Sequence, residues 1–244
     1  MKWSVALFFA GLFGALGTVF ILLSFGTDYW LLAWETCKTD SQLPDIVEHG
    51  DLMVNQAADD GNSSTFYHEG FFWRCSFGGR GDDDIILKFW FTNQPHSKVC
   101  IHAYLSPFPV SEQTHNATTY ESAIIYRGFW SVFMLLGVAA VILGGFIIIC
   151  AAPFTNPCLY KAGGGLFLTA GFFILLATVL SVIWLEVMDV VGLYVEYQKS
   201  HLCPGFQLNI MYGLSFMFAP VGVFFCLLSG LLFLLIGRAL KRHY

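Results

Sequence analysis

Gly128–Ala152 reads GFWSVFMLLGVAAVILGGFIIICAA, 25 residues without one charge. As a helix it is long enough to cross a hydrocarbon core about 30 Å thick. Three further runs share its character: Trp3–Phe25, Ala162–Leu185 and Tyr212–Ile236. All seventeen acidic residues fall in two of the intervals between them, 26–127 and 186–211. The turn 153–161, the tail 237–244 and the amino terminus hold Lys2, Lys161, Arg238, Lys241 and Arg242, and no acid.

That partition predicts a topology. Basic residues beside membrane ends stay in the cytosol, which puts both termini and the turn 153–161 inside and the two acidic intervals outside. The sequons Asn62-Ser63-Ser64 and Asn116-Ala117-Thr118 both lie in the first interval, and glycans are added on the lumenal face. Glycosylation is therefore expected at Asn62 and Asn116. The first run, Trp3–Phe25, is longer than the roughly 7–15 apolar residues of a secretory leader, so it reads as a membrane helix.

Composition narrows the class. Charged residues are 12% and mean hydropathy is +0.64, against about 25% charged in soluble domains. The first interval carries fourteen acids against six bases, and the cytosolic segments five bases. No face is basic enough for nucleic acid, and the acidic runs read as solvated surface. The interiors of the four runs hold no Asp, Glu, Lys, Arg or His, which argues against a pump or transporter. Neither H-E-x-x-H, a phosphate loop nor G-x-S-x-G occurs, and His68, His96, His102 and His115 are scattered. Asp82-Asp83-Asp84 lacks the spaced ligands of a calcium loop. The expectation is a protein that is not an enzyme and uses no cofactor or metal.

Small residues recur along the runs: Ala10, Gly14 and Gly17, then Gly137, Ala140, Gly144 and Gly145, then Gly163, Gly165, Ala170 and Ala177. Such faces let helices approach closely in a membrane. Contact among the four helices of one chain is the expected use, homodimerisation the alternative, and the oligomeric state stays open. Pro220 is expected to kink the fourth helix.

The first interval is long enough for a small domain. Strands are expected at Tyr29–Cys37, Thr65–Phe77, Ile85–Thr92 and Val99–Leu105, with Gly78–Asp82 as a turn. Gln42–Ser64 reads as a floppy acidic insertion. Cys37, Cys75, Cys100 and Cys203 lie in the outer intervals, in oxidising space, and allow three connectivities. Cys75–Cys100 is the natural hairpin staple, and Cys37–Cys203 would then tie the two outer segments. Cys150 and Cys158 lie near the cytosolic face as candidates for palmitoylation, though a buried thiol is the plainer reading for Cys150.

Phe71, Phe72, Trp73, Phe89, Trp90 and Phe91 form a dense aromatic set. Strand alternation cannot bury all six on one face. Trp73 and Trp90 are the candidate interface residues, with the domain core or the headgroup layer as the other use of the set.

These segments carry a resemblance. Gly26-Thr27-Asp28-Tyr29-Trp30-Leu31 leaves the first run, Gly70-Phe71-Phe72-Trp73-Arg74-Cys75 follows, Cys100 comes after it, and Arg127 precedes the second run. The pattern resembles the signature of the claudin and peripheral-myelin-protein superfamily. It implies a claudin-like bundle of four transmembrane helices under a small extracellular antiparallel β-sheet. In that resemblance Trp30 is the family's Trp, and Cys75 and Cys100 are its disulfide. Here Phe72 stands at the motif's second Trp, with Trp73 next to it, and the paired cysteines are farther apart than in claudins.

Tyr67–Cys75, Lys88–Pro95, His102–Pro107, Ile125–Trp130 and Leu159–Gly165 are similar to a muscle-associated branch of the superfamily. That likeness implies a plasma-membrane protein that restrains myoblast differentiation and fusion (myogenesis) through an integrin-type partner. Gly26–Leu31 with Cys37-Lys38-Thr39, and Tyr212–Phe216, also resemble calcium-channel gamma subunits and their glutamate-receptor relatives, implying an auxiliary channel subunit as the alternative. A junction-forming claudin fits less well. Such claudins end in a short hydrophobic scaffold ligand, whereas Lys241-Arg242-His243-Tyr244 reads as a translocation stop or, more distantly, a dilysine retrieval signal.

Overall fold

The computed structural model describes residues 2–37, 63–80, 98–103, 117–154, 156–187, 190–201 and 203–243. Helix α1 spans Lys2–Gly26, α2 Ala117–Phe154, α3 Pro157–Val182, α4 Val190–His201 and α5 Leu214–His243. Strands β1 (Leu31–Cys37), β2 (Ser63–Glu69), β3 (Trp73–Arg80), β4 (Val99–His102) and β5 (Phe206–Tyr212) form one sheet. Among the described residues four segments are long and apolar enough to cross a membrane: Ser4–Gly26, Ile124–Phe154, Pro157–Val187 and Leu214–Lys241. The last two helices overrun the expected ends: α3 continues into a π turn at Ile183–Val187, and α5 carries Arg238 and Lys241. Pro220 lies inside α5.

Glycine lets the helices meet backbone to backbone. A Cβ on Gly164 would stand 2.9 Å from the Gly230 carbonyl oxygen, and one on Gly230 2.8 Å from that of Gly164, so α3 and α5 touch at their chains. On α1, Gly17 faces the Cys226 thiol, and Ala10 accepts a hydrogen bond from Ser229 Oγ at 2.9 Å. Gly163 of α3 lies against Ile148 and Gly144 of α2. The small-residue faces are thus used largely within the chain, while Gly145 and Gly165 meet nothing within 4 Å. Between α2 and α3 the turn is tighter than expected. Asn156 Oδ1 accepts from the Cys158 N–H at 2.9 Å and Pro157 opens the next helix, a side-chain cap followed by a residue with no N–H to orphan.

The sheet is antiparallel in the order β4-β3-β2-β1-β5. Its central pairing is set by the helices beneath. α1 feeds β1 and β5 feeds α5, and the crossing is pinned by Gly213 N–H to Trp30 O and Ser215 N–H to Tyr29 O, both 3.0 Å. A side chain on Gly213 would collide with the Tyr29 carbonyl. With those ends fixed, β5 lies along β1 with Leu31 opposite Tyr212.

Three expectations need correction. Thr65–Phe77 is two strands: Gly70 N–H donates to Trp73 O at 2.9 Å, turning the chain at residues 70–72. A side chain on Gly70 would collide with Asp28, so the turn lies hard against the segment leaving α1. Gly78–Arg80 are strand, paired with Ser63–Thr65, where a turn was expected. The fourth strand stops at His102, after which Ala103 N–H crosses to Phe72 O at 2.8 Å. Ile85–Thr92 and most of Gln42–Ser64 lie outside the described residues.

Candidate interaction site at the junction of sheet and bundle

Helix α2 begins eleven residues before the apolar run that marks it, so Arg127 lies inside the helix at 1% exposure. Its Nη2 donates to the carbonyl oxygens of Gly70 at 3.0 Å and Phe71 at 3.2 Å, and its Nη1 stands 3.4 Å from Glu69 Oε1. The guanidinium also lies 4.1 Å from the Trp130 ring centroid, a cation–π geometry. Glu69 is held from its other side by Arg74 Nε at 2.7 Å. Arginine suits this position because its planar fork serves several acceptors at once. The cluster holds the tight turn of the sheet down on α2.

Trp30, expected only as a motif residue, is buried against Trp130 (ring centroids 5.3 Å) and Phe216 (5.5 Å). Phe71 is buried beside Phe25 at 4.9 Å. The next two aromatics turn outward: Phe72 and Trp73 are each 39% exposed. Phe72 still touches Phe25 at the end of α1, 5.0 Å between rings, and Trp73 lies 4.1 Å from the His102 ring. The turn thus divides the aromatic set into a buried member and an exposed pair. Phe89, Trp90 and Phe91 lie outside the described residues, as do Asn62 and Asn116.

Cys75 and Cys100 stand opposite each other in the β3–β4 register and are disulfide-bonded. Cys37, at the end of β1, is bonded to Cys203, just before β5. Cys158 is exposed, Cys150 half-buried and Cys226 buried. Among the described residues no group of three His, Cys, Asp or Glu side chains could hold a metal ion.

The family profile described as PMP-22/EMP/MP20/Claudin tight junction matches residues 15–235. The chain belongs to the claudin and PMP-22 family. It is similar to transmembrane protein 182 of Danio rerio, 63% identical over 247 residues covering all of both chains. Transmembrane protein 182 of Gallus gallus is 51% identical over 98% of each chain, and that of Homo sapiens 47% identical over all of both. In this claudin-family chain the motif Trp and Arg are both junction residues. Glu69, Trp130 and Trp184 complete the junction; the first two lie in segments that carry the family resemblance, but no role was expected of any of the three. Nothing in spacing marks a lone Glu in an acidic segment or a Trp in an apolar run.

A second polar cluster joins β1, β2 and α4. Glu35 accepts from the hydroxyls of Tyr67 at 3.1 Å and Tyr194 at 2.9 Å, and Gln198 Nε2 donates to Tyr194 at 2.8 Å. Burial raises the Glu35 carboxyl above its ordinary range, opposed by the two tyrosine hydrogen bonds. Beside the first turn, His68 Nδ1 lies 2.8 Å from the Asp28 carbonyl oxygen, which can only accept, so this nitrogen donates. Burial lowers His68 to about 4, against the opposing pull of that bond and with a smaller push from Lys98.

His68 therefore resists protonation in the folded state. The unfolded chain takes up its proton near 6.5, so this contribution to stability is complete above that value and is lost as pH falls towards 4. Glu35 acts oppositely, binding its proton better when folded than when unfolded. Thermal midpoints in detergent should fall between pH 6.5 and about 4, and His68→Gln should flatten that slope. An unchanged slope in the variant would assign the acid sensitivity elsewhere.

Proposed function

We propose that this chain is a non-enzymatic plasma-membrane protein that works by binding another membrane protein laterally, with both termini cytosolic and the sheet outside. One observation carries the reading: Phe72 and Trp73 stand exposed at the foot of the sheet, beside the end of a membrane-crossing helix. Exposed aromatics beside well-packed neighbours are the usual anchors of protein interfaces. Trp90 is the second candidate anchor. The two disulfides favour the outer location of the sheet, since disulfides persist in oxidising compartments. The integrin-type partner, and restraint of myoblast differentiation and fusion as the outcome, come from the sequence resemblance alone. Cys158, exposed at the start of α3, is the candidate palmitoylation site on the cytosolic side.

Trp73→Ala should reach the cell surface normally, because the ring is already partly exposed, and should weaken partner binding. Loss of a hot-spot Trp costs about 2 kcal/mol or more, roughly thirtyfold in affinity. Co-purification from muscle cells, scored beside surface biotinylation, separates the readings. Retention inside the cell would make Trp73 a folding residue and move the search for the interface to Gln42–Ser64 or the second outer segment. Enrichment of channel subunits in place of integrins would favour the auxiliary-subunit alternative.

Topology has its own check. Asn62→Gln and Asn116→Gln should each remove one glycosidase-sensitive step in mass. Antibody detection of a carboxy-terminal tag on intact cells would contradict the proposed orientation.

A further inference from the structure

A cavity of about 20 Å³ lies where the sheet meets the bundle. Its wall brings together Trp30 and Glu69 from the sheet side, Trp130 from α2, and Ser181 and Trp184 from the end of α3. The three indoles are 2%, 7% and 6% exposed respectively, and the buried Nε1–H of each has no hydrogen-bond partner. An indole N–H can only donate. Buried donors left unmet are costly and rare in native proteins. Three on the wall of one small cavity point to a shared acceptor. Trp184 adds an independent sign: it sits in the π turn Ile183–Val187, an irregularity that recurs at functional sites.

The wall also defines what the guest must give back. Ser181 already donates its hydroxyl proton to Thr178 O at 2.8 Å, so its oxygen offers lone pairs. The Glu69 carboxylate, held by Arg74 and Arg127, likewise accepts. An anion would satisfy the indoles and be repelled by Glu69. A cation would face three N–H dipoles of the wrong sign. A neutral hydroxylic oxygen answers both sides, since water accepts two hydrogen bonds and donates two. The volume also agrees, because one water needs roughly 10–15 Å³ of such space and two to four polar partners.

We propose that this junction is a buried water site, in which one ordered water accepts from two of the indoles of Trp30, Trp130 and Trp184 at a time and donates to Glu69 and Ser181. The water is then the hydrogen-bonded link by which the sheet, α2 and α3 are held together around the family's Trp30. Glu69 and Trp130 of its wall both touch Arg127, which makes it part of the fold's joint, separate from the exposed Phe72–Trp73 pair.

The test is water-selective NOE spectroscopy of the full chain in nanodiscs, with indole nitrogens labelled in all seven tryptophans. At least two of the three junction indole protons should show cross-peaks to a water of long residence. Trp184→Phe should remove its own cross-peak and shift the indole signals of Trp30 and Trp130. A solvent-confined paramagnetic agent distinguishes buried from exposed indoles where a Phe variant does not fold. Three outcomes overturn the proposal: no long-lived water at any buried indole, cross-peaks from those indoles to lipid hydroxyl protons, or signals that move when chloride is exchanged for bromide.

Discussion

Arg127→Ala is expected to abolish recovery of a monodisperse folded protein. The substitution removes a side chain at 1% exposure, and with it the donors to Gly70 O and Phe71 O and the partner of Glu69 Oε1. Breaking a buried charged cluster by deleting one member costs about 3–5 kcal/mol, against a total stability of about 5–15 kcal/mol for a typical protein. Arg127→Lys keeps the charge, yet an ammonium on a flexible stem cannot serve two carbonyls and a carboxylate while lying flat on Trp130. It should fall between wild type and Arg127→Ala in thermal midpoint, read by fluorescence-detected size exclusion after heating. An Arg127→Ala protein that melts with the wild type would remove this cluster from any role in holding the sheet to the bundle.

The second large effect is expected at the disulfides, and the two should differ in a way that loop length alone does not forecast. Cys75–Cys100 closes a separation of 25 residues and Cys37–Cys203 one of 166. In the chain-entropy model these correspond to about 3 and about 5 kcal/mol. That model assumes a free unfolded chain. The longer loop contains α2 and α3, which the bilayer already confines, so much of its entropy is gone before the bond forms. Among its described residues the shorter loop contains no membrane-crossing segment. Cys75→Ser should therefore reduce surface delivery at least as severely as Cys37→Ser, because it releases β4 from β3. Surface biotinylation of both variants decides the order, and a markedly worse Cys37→Ser would reinstate loop length as the controlling quantity.

The exposed pair and the buried cluster share one turn, and this explains the mixed aromatic content of Gly70–Trp73. Gly70 allows the chain to press against Asp28. Phe71 then falls into the junction, and Phe72 and Trp73 are left outside. Read as a continuous strand, the same segment would have sent alternate rings to opposite faces. A local alternation rule could not anticipate a turn whose stability comes from Arg127, 57 residues away in the sequence.

What the sequence determined by itself is what the bilayer imposes along one dimension. Uncharged runs of sufficient length become crossing helices because their backbone groups can be satisfied only within the segment. The family motif around Trp30 and Gly70–Cys75 added the small antiparallel sheet. Tertiary structure alone decided how these parts meet. Phe206–Tyr212 alternates apolar and polar residues, a legible strand signal, yet its place as β5 beside β1 is decided by α1 and α5, which bring its end beside Trp30. Four outer cysteines allow three pairings, and the β3–β4 register puts Cys75 opposite Cys100. Arg127 reads as a boundary charge in sequence and becomes the centre of the junction in the fold. Its energy depends on Glu69, Gly70, Phe71 and Trp130 arriving together, and a buried charge is stable only once such distant partners have converged.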